Sequence, residues 1–210
     1  VTAKEIAEAL GLEKARAPID PKLEAKLRER GLIFLIYPIY HKAKMGGASW
    51  WHNEDVPVAA VDSHYGEGRG YFTLAHETVH IIHHLPNRES GHTCRLDPFI
   101  ATAALKVEER QTNEIASQLL MPVSEYPEAK KTIKDMGVRP GIAELTREWK
   151  VSQQALGIRL VEWDILKNDQ ISYLFIRKQR DPEKESGSFI RPYADRFGNA
   201  AVTSDLIYRL

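Results

Sequence analysis

His76-Glu77-Thr78-Val79-His80 sits inside the run Tyr71-Phe72-Thr73-Leu74-Ala75-His76-Glu77-Thr78-Val79-His80-Ile81-Ile82-His83-His84. No Gly or Pro interrupts residues 71–85, and Pro86-Asn87 stops the segment, so a single helix is expected there. Leu74, Ala75, Val79, Ile81 and Ile82 make it apolar nearly all round, as for a buried helix. Positions i and i+4 of a helix lie one turn apart on one face, so His76 and His80 can present two imidazoles to one metal ion. Glu77 then points toward the open coordination position, where a water would sit. That pattern suits zinc-dependent peptide hydrolysis. Two incidental histidines in a core helix would instead leave three polar groups buried without a shared partner, at a cost.

A third ligand is sought downstream. Residues 107–122 read as a second amphipathic helix, with Ile115, Ala116, Leu119 and Leu120 inward and Pro122 ending it. Glu109 and Asn113 are again i and i+4. Glu109 suits the carboxylate of a His2Glu site. Asn113 can accept from the free ring nitrogen of a ligand His and so fix its tautomer. Glu108 and Glu114 are rival ligands, although Glu108 points roughly 100° away from Glu109 on the helical wheel.

The two motifs together resemble the ImmA/IrrE family of metallopeptidases. The resemblance rests on residues 72–77, His80, His84, the stretch 109–113 running into Leu119-Leu120-Met121-Pro122, and Val151-Ser152-Gln153-Gln154-Ala155 with Arg159-Leu160. It covers residues 1–165. It implies an α+β, zincin-like metallopeptidase domain with a small antiparallel or mixed sheet. The implied cofactor is Zn2+, with Mn2+ or another divalent ion as an alternative. The implied substrate is an XRE-type helix-turn-helix repressor, cut to derepress stress-response, mobile-element or phage-defence genes. Val79 stands where Gly is common, and Thr112 and Glu114 replace small or apolar residues.

Three segments are expected: a peptidase domain over 1–125, a helical, helix-turn-helix-like subdomain over 126–168, and a β-rich appendage or sensor stub over 169–210. Helices are expected over 2–12 and 20–30, strands over 32–40, 48–52 and 56–62, and a Gly-rich loop over 63–70. Residues 56–62 are the candidate strand for pairing with extended substrate, with a plain sheet strand as the equal alternative. Residues 87–99 are expected to be a polar loop. It carries Cys94, a possible inhibitory zinc ligand that would hold the enzyme latent, and His92, which with His84 and Tyr126 is a candidate oxyanion donor. Residues 171–179 read as a strand.

Lys+Arg and Asp+Glu both number 29 in 210 residues. A neutral chain gives no reason to expect nonspecific attraction to nucleic acid or anionic membrane. The helix-turn-helix-like stretch 144–161 balances Arg147, Lys150 and Arg159 against Glu144, Glu148 and the neighbouring Glu162, which makes a DNA-binding module a minor alternative. The other is a non-catalytic anti-repressor that binds and displaces its target. No apolar run is long enough to span a bilayer, no signal peptide opens the chain, and one cysteine forms no internal disulfide; a cytoplasmic location is expected.

Overall fold

The apolar runs pair into a mixed sheet, and the periodic segments after it form helices. The computed structural model describes residues 2–37, 45–52, 56–62, 67–84, 92–95 and 103–175. The chain divides into two units, Gly31–Ile100 with Asp181–Leu210, and Val1–Arg30 with Ala101–Arg180.

The first of these holds the sheet. Strands β1 (Ile33–Tyr37), β2 (Met45–His52), β3 (Val56–Asp62) and β4 (His92–Arg95) lie in the order β1-β3-β2-β4. β1 and β3 are parallel, and the β3–β2 and β2–β4 pairs are antiparallel. Alternation sends Leu35, Ala48, Trp50, Val58 and Ala60 to one face, where they form a buried apolar cluster. The register pairs Gly47 with Val61 and Ser49 with Ala59, so these four belong to the opposite face. Helix α3 (Glu67–Val79) packs on β2 and β3.

Three expectations change here. β3 is central: Val58–Asp62 pair with β1 while Val56–Val61 pair with β2. Its ladder groups are taken on both sides, so it is not the strand that receives a substrate. Residues 92–95, expected in a loop because they are polar, are the edge strand β4, held by β2. Helix α3 begins at Glu67, inside the segment expected to be a Gly-rich loop. Gly70 and Tyr71 are buried there, and burial outweighs the ~1 kcal/mol helix penalty of each glycine.

The second unit is helical. Thr2 and Glu5 form a capping box on α1 (Ala3–Leu10), with Glu5 N donating to Thr2 Oγ1 at 3.2 Å and Thr2 N donating to Glu5 Oε2 at 2.7 Å. Helix α2 (Asp20–Glu29) carries Pro21 in its first turn. Helix α4 (Ala103–Leu120) packs on α1 and buries Thr112, Ala116, Leu119 and Leu120 along one stripe. Helices α5 (Tyr126–Met136), α6 (Val138–Trp149) and α7 (Gln153–Glu162) follow, α6 packing on both others. Lys150 turns the chain in the left-handed conformation, and Ser152 Oγ caps α7 by accepting from Ala155 N at 3.1 Å.

Arg159 joins two elements of this unit. It is buried, its Nε donates to the Met121 carbonyl at 3.0 Å, its Nη1 meets Glu162 at 2.8 Å, and its guanidinium lies 4.8 Å from the Trp163 ring centroid. Arg159→Ala strands the Met121 carbonyl and removes the cation–π contact, at a combined cost of about 3 kcal/mol. Thermal unfolding should show a fall in Tm of roughly 6 to 12 °C; an unchanged Tm would mean the clamp contributes nothing.

A polar cleft of ≈370 Å³ lies among Arg16, Ser124, Glu125, Glu128, Glu148 and Trp149. Glu125 is buried and accepts from Ala17 N at 3.1 Å, with Arg16 Nη1 3.7 Å from its Oε2. Partial desolvation in the cleft, then the Glu148 and Glu125 charges, hold the exposed Glu128 carboxyl above its ordinary value of 4.5, against a smaller pull from Arg16. The folded chain therefore keeps a proton that the unfolded chain loses at 4.5, and stability falls as pH rises through that window. Glu128→Gln should raise Tm at pH 7 and not below pH 4. A gain of equal size at both pH values would assign the effect to packing instead of charge.

Residues 171–175 are not a strand. Ile171 closes the short helix α8 (Asn168–Ile171), and Ser172–Phe175 form a 3-10 turn. Ile171 and Leu174, three apart, both face Gly157 of α7; a Cβ there would meet Leu174 Cδ1 at 2.6 Å. This helical spacing, which buries Ile171, outcompetes the alternation in the sequence. The β-rich appendage expected beyond residue 175 lies outside the described residues. No helix among the described residues is long and apolar enough to cross a membrane.

Candidate metal centre

Helix α3 and the turn that continues it at His80 bring His76, Glu77 and His80 together through local geometry alone. His76 is 5 % exposed, Glu77 and His80 0 %. The two imidazoles meet edge to face, with Nε2 atoms 2.9 Å apart. Both nitrogens thus converge on one point, as two ligands of a single ion require. Thr78, between them, returns its hydroxyl to the Leu74 carbonyl at 2.8 Å and makes no demand on the site. Val79, where the resembled family commonly has Gly, is fully buried and accommodated. A carboxylate as buried as Glu77 is costly to keep for packing alone.

The helix expected to run unchanged to residue 85 alters at His80. His80–His84 form a π-helical turn, a feature frequent at functional sites. His83 and His84 belong to that turn; their side chains lie outside the described residues.

Glu109 lies on α4, half-buried, and Asn113 follows one turn later on the same side of the helix, exposed. Of the three acidic candidates, Glu109 is the one that joins His76 and His80 as a donor set for a metal ion among the described residues. Glu114 is exposed and accepts from Gln118 Nε2 at 3.1 Å, on the outer side of α4. Two imidazole nitrogens and one carboxylate oxygen form the three-ligand set of catalytic zinc sites, which keep a fourth position open. Cys94 lies in β4, its backbone opposite Gly47. The side chains of Cys94 and His92 lie outside the described residues. Tyr126 is engaged in the helical unit, its ring 6.1 Å from Trp163 and its hydroxyl accepting from Lys130 Nζ at 3.2 Å.

One feature beside the site was not read from sequence. Gly47 of β2 approaches α3 so closely that a Cβ built on it would lie 2.5 Å from Glu77 Oε1. The signal was present in Met45-Gly46-Gly47-Ala48, because paired glycines within a strand mark a bulge or a close approach.

A mixed sheet carrying an HExxH helix, with two converging buried imidazoles, a buried Glu between them and a carboxylate donor downstream, defines a metallopeptidase domain of the HExxH type. The family comparison agrees. The IrrE N-terminal-like domain family, Peptidase_M78, matches residues 35–161, more than half of the chain, and the chain belongs to that family. No curated protein matches it.

Proposed function

We propose that this chain is a metal-dependent endopeptidase that cuts an XRE-type helix-turn-helix repressor and thereby derepresses stress, mobile-element or phage-defence genes. The observation that carries the catalytic half is the pair of buried Nε2 atoms 2.9 Å apart on the helix that also buries Glu77. The substrate half rests on the resemblance to ImmA/IrrE peptidases, supported by membership of the IrrE N-terminal-like family.

His76, His80 and Glu109 are the residues to hold the ion, Zn2+ by donor chemistry and Mn2+ as the alternative. When bound, a divalent ion supplies Lewis acidity, acidifying water and polarising the scissile carbonyl. Glu77 takes the proton of the attacking water and returns it to the leaving amine. Asn113, one turn beyond Glu109, is the proposed partner that orients a ligand imidazole.

Direct DNA reading has little support from the helix-turn-helix-like pair α6–α7. Arg159 is buried against Met121 and Trp163, and Arg147 is bonded to Glu144 at 2.5 Å, which leaves few free cations for phosphates.

The test mixes the chain, loaded with Zn2+ or Mn2+, with the helix-turn-helix repressor encoded nearest to it. The expected result is one discrete cut, lost with chelator. Binding without cutting would replace the enzyme by a stoichiometric anti-repressor. Cutting that begins only in Cys94→Ala would identify a latent enzyme.

A further inference from the structure

Strand β2 carries an irregularity where it passes α3. Met45 pairs with Arg95 and Gly47 with Cys94, so Gly46 has no opposite number on β4. Such a bulge bends a strand locally, and bulges concentrate beside active sites. Gly47 follows it directly, and both glycines are buried. The φ of Gly47 lies outside the left-handed region, unlike those of Gly11, Gly31 and Gly137. Backbone freedom is therefore not what requires glycine at 47. Space is: a Cβ would meet Glu77 Oε1 at 2.5 Å, Thr73 Cγ2 at 2.5 Å and the Ala60 carbonyl at 3.1 Å. The first two contacts are closer than van der Waals packing permits, and one of them is with the carboxylate assigned as base.

We propose that Gly47 is a positioning residue: the bulge at Gly46 and the missing side chain at Gly47 form the seat that fixes the Glu77 carboxylate over the metal ligands of its own helix. The same helical segment bears His76 and His80, and the three atoms nearest to a Cβ at 47 belong to Glu77, Thr73 and Ala60. Filling the seat therefore crowds the base before either ligand. The catalytic consequence rests on Glu77 acting as base, as proposed above.

Two causes of damage must be separated, loss of the carboxylate's seat and a clash with Thr73. Thr73→Ser removes Cγ2 and keeps the hydroxyl that donates to the Arg69 carbonyl, so Thr73→Ser is the background for every variant. In that background Gly47→Ala should lower Tm by roughly 5 °C, as overpacking does. With Glu77→Ala also present, most of that loss should vanish, because the crowded atom is gone. Chelator competition should find Zn2+ affinity unchanged by Gly47→Ala. Cleavage of the repressor should fall about 100-fold in kcat with KM unchanged, the scale of a catalytic group misplaced by about 1 Å.

An equal Tm loss with and without Glu77 would overturn the proposal, as would Thr73→Ser/Gly47→Ala cutting as fast as Thr73→Ser alone. Failure of Gly47→Ala to fold, rescued by Glu77→Ala, would support it; failure in both would count against it. Should neither the parent chain nor Cys94→Ala cut the repressor, the repressor-cleavage reading fails, while the Tm cycle, which needs neither metal nor substrate, still decides whether Gly47 seats Glu77.

Discussion

Glu77→Gln, loaded with Zn2+, should bind the ion as tightly as the parent chain and cleave the proposed repressor substrate about 10²- to 10⁴-fold more slowly. The two halves of this result come from separate features of one helix. His76 and His80 lie on the face that meets the ion, with Nε2 atoms 2.9 Å apart, and an amide at 77 leaves both unchanged. Glu77 lies beside them at 0 % exposure, and the proposed role of its carboxylate is to take up and give back a proton. Gln keeps the size and removes the basicity, so the seat beside Gly47 stays filled and packing is preserved. The measurement is single-turnover cleavage by gel, with metal content checked on the same sample. Undiminished cutting by a fully loaded Glu77→Gln protein would sink the assignment of the base. Lost metal together with lost cutting would mean that Glu77 contributes to ion binding.

The HExxH helix was legible in the sequence because its evidence is local. An i, i+4 pair, an apolar surround and a Pro-Asn stop all lie within about twenty residues, and the structure keeps His76, Glu77 and His80 on one helix. Glu109 was legible for the same reason, one helical face read from spacing, with Glu108 and Glu114 left as rivals. What the sequence hid was pairing. Nothing in Val56–Asp62 distinguishes a central strand from an edge: its neighbour β2 pairs antiparallel on one side, and only the parallel pairing with β1, separated by the whole of β2, closes the other. His92–Arg95 looks like loop because an edge strand can be polar, and it exists through its pairing with β2. Ile171–Phe175 carries the apolar residues of a strand, but the helical turn sets Ile171 and Leu174, three apart, against Gly157 together.

Glu109→Gln should weaken Zn2+ binding on the order of 100-fold and carry cleavage down with it at limiting metal. Structural zinc sites bind with about 10–16 kcal/mol in all, so one of four ligands carries roughly 3 kcal/mol, or about a hundredfold in affinity. Gln retains a carbonyl oxygen and the shape of the side chain but loses the negative charge. The effect is therefore electrostatic at the ligand, and α4 keeps its fold, because its packing rests on the buried Thr112, Ala116, Ser117, Leu119 and Leu120 and not on Glu109. The distinction from Glu77→Gln is the metal dependence: raising free Zn2+ should restore cutting by Glu109→Gln and leave Glu77→Gln inert. Glu108→Gln is the internal comparison. Its side chain is directed about 100° around α4 from Glu109, so its Zn2+ affinity should match that of the parent chain. Competition with a calibrated chelator measures all three variants on one scale. Unchanged affinity in Glu109→Gln with a hundredfold loss in Glu108→Gln would transfer the third ligand to Glu108 and with it the face of α4 that meets the ion.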